Sequence, residues 1–199
     1  MKYILIAFLT IISINASKAD SWNPPKVEVY YSADSTYYVR VLPMHVPEKY
    51  GDWRQAKANK KRKFSPQDTA ITPCHAIMYK HTVKGDSLVW QENLINRIAP
   101  VAVLVANDGK YLVTFDNWGS LGYGVDVFVV YDQKGMLLKR HNLEDVSPFP
   151  INTYFRSISS IWWKCGAKFL DSKTIEIYFQ DEDKKVESRK YNLVSLKIQ

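Results

Sequence analysis

Three segments of this chain end in the same way, and their spacing limits the fold more than any other feature. "MYKHTVKGDSLVWQENL" ends at Leu94, "VYDQKGMLLKRHNL" at Leu143 and "IYFQDEDKKVESRKYNL" at Leu193. Each reads as strand, polar turn, strand, then Asn-Leu. The asparagines Asn93, Asn142 and Asn192 lie 49 and 50 residues apart, and Tyr79, Tyr131 and Tyr178 mark the preceding strands. A fixed period of this length is the signature of a repeated supersecondary unit.

The front halves of the first two units match as well. "VEVYYSADSTYYVRV" aligns with "VAVLVANDGKYLVTF", so that Asp34 meets Asp108, Tyr37 meets Tyr111 and Val39 meets Val113. In both, an apolar strand enters a turn and a second strand leaves it, and "NDG" supplies residues that accept φ > 0. The sequence therefore predicts two four-stranded antiparallel meanders. The first has strands near Val27–Tyr31, Tyr37–Val41, Ala76–Thr82 and Leu88–Leu94. The second has strands near Val101–Val105, Tyr111–Phe115, Val125–Tyr131 and Met136–Leu143. A third unit needs "SISSIWWKCG" as an early strand, and its register around "AKFLDSKTIEIYF" is open. "NLEDVSP" fits one short helical turn between the second and third units.

The expected class is all-β: antiparallel four-stranded meanders, about three of them. "NDGKYLVTF" resembles the blade motif of WD40-like repeat proteins, and the whole chain resembles secreted bacterial proteins with such blades. That resemblance implies an architecture and no activity, since many functions use it. Closed propellers have four to eight blades, so three cannot make a full closed propeller. Incomplete closure, self-association into a homo-oligomer, or a sandwich of the same hairpins remain open.

The N-terminus reads as a secretory signal peptide over residues 1–19. Lys2 precedes an apolar run from Tyr3 to Ile14, and Ser17 and Ala19 occupy the small-residue positions of a cleavage site. The run is shorter than the roughly 20 residues a spanning helix needs, and no later run could cross a membrane. Residues 20–199 are then one exported domain, periplasmic or secreted.

The net charge of +7 is local in origin. Losing Lys2 and Lys18 with the leader takes it to +5. Setting aside "RQAKANKKRK", with Arg54, Lys57, Lys60, Lys61, Arg62 and Lys63, takes it to −1. A nucleic-acid-binding domain is not implied, because its basic character would be general. The run sits in an insertion, Pro43 to Pro73, between the second and third strands of the first unit. It reads either as a solvated loop or as a contact for an anionic envelope surface.

"FDNWGSLGYG" holds three of the chain's eight glycines, Gly119, Gly122 and Gly124. A dinucleotide loop requires a helix to follow it; here the strand "VDVFVVYD" follows. The segment is instead a long loop between antiparallel strands. Asp116, Asn117, Trp118, Ser120, Tyr123 and Asp126 are its candidate contacts for a protein or polysaccharide. Trp118 and Tyr123 alternatively fold back as a lid on the core.

Cys74 and Cys165 form an even pair in a chain expected to be exported, which predicts a disulfide. It would close a loop of about 90 residues, which loop entropy values at roughly 4–5 kcal/mol. His75 and His81 share one face of a strand but stand about 20 Å apart along it, too far for a common metal. No nucleophile, zinc or cofactor motif occurs. No catalytic residue, cofactor or metal ligand is therefore assigned. Binding or structural interaction in the cell envelope or outside the cell is the expected role. The alternative is hydrolysis of an envelope polymer, which requires a convergent acid–base pair beside Trp118.

Overall fold

The computed structural model describes residues 22–45 and 70–199. The expected leader at residues 1–19 and the basic run from Arg54 to Lys63 lie outside the described residues. Among the described residues no helix is long and apolar enough to cross a membrane.

The described residues form three four-stranded antiparallel sheets, each in simple meander order, and none of these closes into a barrel. The first sheet is β1 (Glu28–Tyr31), β2 (Tyr37–Leu42), β3 (His75–Thr82) and β4 (Gly85–Asn93). The second is β5 (Pro100–Val105), β6 (Leu112–Asn117), β7 (Phe128–Tyr131) and β8 (Leu137–His141). Both follow the repeat read from sequence, strand for strand. One turn of helix, α1 (Leu143–Val146), comes next, capped reciprocally by Asn142 and Asp145. A 3₁₀ turn (Ile151–Thr153) and a small hairpin, β9 (Phe155–Arg156) and β10 (Ile161–Trp162), lead to the third sheet. That sheet is β11 (Lys164–Asp171), β12 (Thr174–Gln180), β13 (Val186–Asn192) and β14 (Lys197–Ile198).

The third unit departs from the expected order. "SISSIWWKCG" is divided: Ile161 and Trp162 pair with Arg156 and Phe155 in the separate hairpin, and only Lys164 to Gly166 open the sheet's first strand. Tyr178 therefore lies on the second strand of its sheet, whereas Tyr79 and Tyr131 lie on the third of theirs. The third sheet is shifted by one strand within the repeat, and β14 fills the edge position.

Strand alternation explains how the sheets stack. From β5, β6 and β7, Val103, Val105, Leu112, Val129 and Tyr131 pack on Val39, Val41, Ala76 and Met78 of the first sheet. The intervening residues Val113, Phe115, Phe128 and Val130 pack on Ile175, Ile177 and Phe179 of the third. Every residue from Leu112 to Asp116 and from Phe128 to Tyr131 is buried. A sheet covered on both faces reads as continuous apolar strands rather than as alternating ones.

The turns repeat as well. Asp34, Asp108 and Asp132 each accept a backbone N–H two residues on, at 3.0, 3.0 and 2.8 Å. These Asx turns fix the hairpin connections.

The expected Cys74–Cys165 disulfide is not formed; both thiols are free. Cys74 is 1% exposed in the core between the first and second sheets. Cys165 is exposed at a bulge in β11, between Lys164 and Gly166. The second sheet stands between the two positions, a separation that sequence spacing does not reveal.

Candidate functional site

The long connections of the chain meet one another. His45 and Thr72, the described ends of the insertion, bridge each other, and the Met44 N–H donates to the Ile98 carbonyl at 2.7 Å. The Trp118 N–H donates to the Ala99 carbonyl at 2.8 Å, and the Ile161 N–H to the Leu121 carbonyl at 2.9 Å. The Trp118 indole N–H reaches the Asn23 carbonyl at 2.9 Å, and the Trp22 indole N–H reaches Ser159 Oγ at 3.2 Å. The N-terminal segment, the 94–99 connection, the Gly-rich loop and the β9–β10 hairpin are thereby joined. Tight turns gather elsewhere, where the Asp34 N–H donates to Asn107 Oδ1 at 3.2 Å. Long loops carried by a rigid scaffold are where binding residues concentrate.

A groove of about 500 Å³ opens among these connections, between β1 and β5. Trp22 and Trp118 border it with ring centroids 5.8 Å apart, edge to face. Pro24 and Pro25 keep the N-terminal wall extended, since each ring fixes φ. Lys26, Glu28 and Tyr30 add polar groups to the lining. The Tyr30 hydroxyl donates to Glu28 Oε2 at 2.6 Å. Burial first, and then this bond, push the Tyr30 hydroxyl well above its ordinary pKa.

The six residues expected as a contact loop part company. Asp116 is 1% exposed and sits at φ 56°. Its Oδ1 accepts the Gly122 N–H at 2.7 Å and the Trp163 indole N–H at 3.0 Å. Burial raises its carboxyl to about 6, against the pull of those two bonds and the Lys164 charge. Asp116 is thus an internal strut rather than a contact. Asn117 Oδ1 accepts from Asn96 Nδ2 and the Arg97 N–H at 3.2 and 3.1 Å. The Ser120 N–H closes the turn on the Asn117 carbonyl. Asp126 holds Arg140 Nε at 2.5 Å. Tyr123 is 36% exposed at the surface. Of the six, Trp118 lines the groove.

Gly122 shows why the loop is rich in glycine. It adopts φ +72°, and an added Cβ would lie 2.7 Å from Ile161 Cβ and 2.9 Å from its carbonyl oxygen. The loop is therefore clamped between the second sheet and β10, which is an architectural role. The groove residues Trp22, Asn23, Glu28 and Tyr30 escaped sequence reading because they lie some 90 residues from Trp118. The Trp-Asn-Pro-Pro run was the available signal.

No family model matches the chain, and searches of curated proteins and of solved structures returned no match.

Proposed function

We propose that the chain is an exported envelope protein that binds a polysaccharide in the groove between its first and second sheets. The observation that carries this reading is the Trp22–Trp118 pair beside Glu28 and Lys26. Pyranose rings offer apolar C–H faces to aromatic walls and hydroxyls to carboxylates, ammonium groups and carbonyls. A concave site with an apolar lining and a few placed polar groups suits such a ligand. The signal-peptide pattern supports placement outside the cytoplasm, where envelope polymers are met. Binding is favoured over hydrolysis because Glu28 is the one carboxylate among the groove's described lining residues. Asp116 is committed to the core and Asp126 to Arg140.

Calorimetric titration with a panel of soluble envelope glycans tests the proposal. Wild-type protein should bind at least one of them, and Trp118→Ala should weaken that binding tenfold or more. Equal affinity of the variant, or no binding across the panel, would sink it.

A further inference from the structure

The β9–β10 hairpin carries a second surface, distinct from the groove. Phe155 and Trp162 are paired across its two strands and are 52% and 55% exposed. Ile158 lies in its turn and is 71% exposed. The hairpin is held rigidly: the Ser157 N–H donates to the Ser160 carbonyl at 2.8 Å, and Arg156 Nη2 donates to the Ile151 carbonyl at 2.7 Å. Three large apolar side chains are thus presented to solvent on a fixed support.

We propose that this hairpin is a membrane-docking finger, whose Phe155, Ile158 and Trp162 side chains enter the interfacial layer of an anionic lipid bilayer. Two observations favour that occupant. Tryptophan with phenylalanine and isoleucine is the combination that partitions into the headgroup boundary. The net charge of +5 left after the leader is supplied by the basic insertion and complements an anionic surface, and the described ends of that insertion join the connections that also hold the hairpin. A second copy of the chain is the weaker occupant. Three half-exposed side chains offer on the order of 300 Å², well under the roughly 800 Å² per partner of a stable interface.

The test is co-sedimentation of purified protein with vesicles of phosphatidylcholine alone or mixed with phosphatidylglycerol. Wild type and variants must be processed identically at the N-terminus. Wild type should bind the anionic vesicles. Ile158→Asp and Trp162→Ser should each weaken binding about tenfold or more, with an unchanged Tm because both positions are exposed. Trp118→Ala, a groove substitution, should bind vesicles as wild type does, which separates this surface from the glycan reading. Three outcomes overturn the proposal: no binding by wild type; equal binding by the hairpin variants; or hairpin variants that change oligomeric state and leave vesicle binding intact.

Discussion

Asp116→Asn isolates a buried charge with almost no change in shape, and the structure sets both the sign and the size of its effect. The carboxyl of Asp116 ionises near 3.8 in the unfolded chain and near 6 in the folded protein, chiefly because it is buried. Between those values the folded state holds a proton that the unfolded state has lost. Its contribution is therefore complete below pH 3.8 and disappears as pH rises through about 6. A difference of about two pH units corresponds to about 3 kcal/mol. Asn Oδ1 in the place of Asp116 Oδ1 keeps both the Gly122 N–H and the Trp163 indole, and the variant gives up the second Trp163 contact on Oδ2 at 3.2 Å, where Nδ2 is a donor, a pH-independent cost of about 1 kcal/mol. The variant should be less stable than wild type at pH 4 and more stable at pH 7.5. His141 titrates in the opposite sense: burial lowers its pKa, so its contribution is lost as pH falls. The difference between the two proteins, rather than either curve alone, is the quantity to read. Urea unfolding at half-unit steps from pH 4 to 8 supplies it. A stability difference that stays constant over that range would refute the reasoning.

Gly122→Ala should cost at least about 1–3 kcal/mol, from the strain of a non-glycine residue in the left-handed region together with the contact on Ile161; denaturant unfolding measures it. Tyr123→Ala should change stability by less than about 0.5 kcal/mol, because the ring is at the surface away from special features; a loss of several kcal/mol would make Tyr123 part of the core. In native protein Cys165 should react with iodoacetamide while Cys74 stays protected until unfolding, since burial raises the Cys74 thiol to about 12; mass spectrometry reads both sites.

The repeat was legible because it rests on short-range chemistry. Strand alternation, short polar residues at the hairpin turns (Asp34, Asp108 and Asp132, with Thr82 between β3 and β4) and a fixed period place β1 to β8 within a few residues. What failed had a long-range cause. The start of the third unit was only partly placed because "SISSIWWKCG" is divided: Ile161 and Trp162 find partners in Arg156 and Phe155, while Lys164 to Gly166 begin the third sheet. The disulfide expectation used compartment and parity, neither of which knows that a whole sheet separates the two cysteines. The groove joins Trp118 to the N-terminal segment through its indole N–H on the Asn23 carbonyl, 95 residues away, and through its ring against Trp22. Asp116 looked like a ligand residue because a carboxylate in a glycine-rich loop normally faces water; Trp163, 47 residues on, turns it inward. The polar chain of Thr114 Oγ1 donating to Asn96 Oδ1, and Asn96 Nδ2 donating to the Asp116 carbonyl, left no trace in the local pattern.

Three blade-like sheets leave two faces that a closed ring would cover, and the side chains there explain how the stack ends. On the outer face of the third sheet, Glu176 accepts from the Tyr178 hydroxyl and from Ser188 Oγ and lies 3.6 Å from Lys168 Nζ. On the outer face of the first, Asp86 accepts the Tyr38 hydroxyl at 2.7 Å and holds His81 Nδ1 at 2.7 Å. Tyr31, Tyr38 and Tyr79 lie against one another beside that pair, with centroids 5.3 and 5.1 Å apart. Both outer faces thus place hydroxyls and charges where the second sheet places Val113, Phe115, Leu112 and Val129. A stack of repeats needs polar outer faces on its terminal units, and the first and third sheets meet that requirement at opposite ends. Between them, His141 and Tyr191, each one residue before the repeat's asparagine, share a hydrogen bond of 2.8 Å in the second interface. The repeat spacing of 50 residues therefore returns as a direct contact between successive sheets. The second sheet has no such outer face. Removing either neighbour would expose a row of valines and aromatics from β6 and β7 to water.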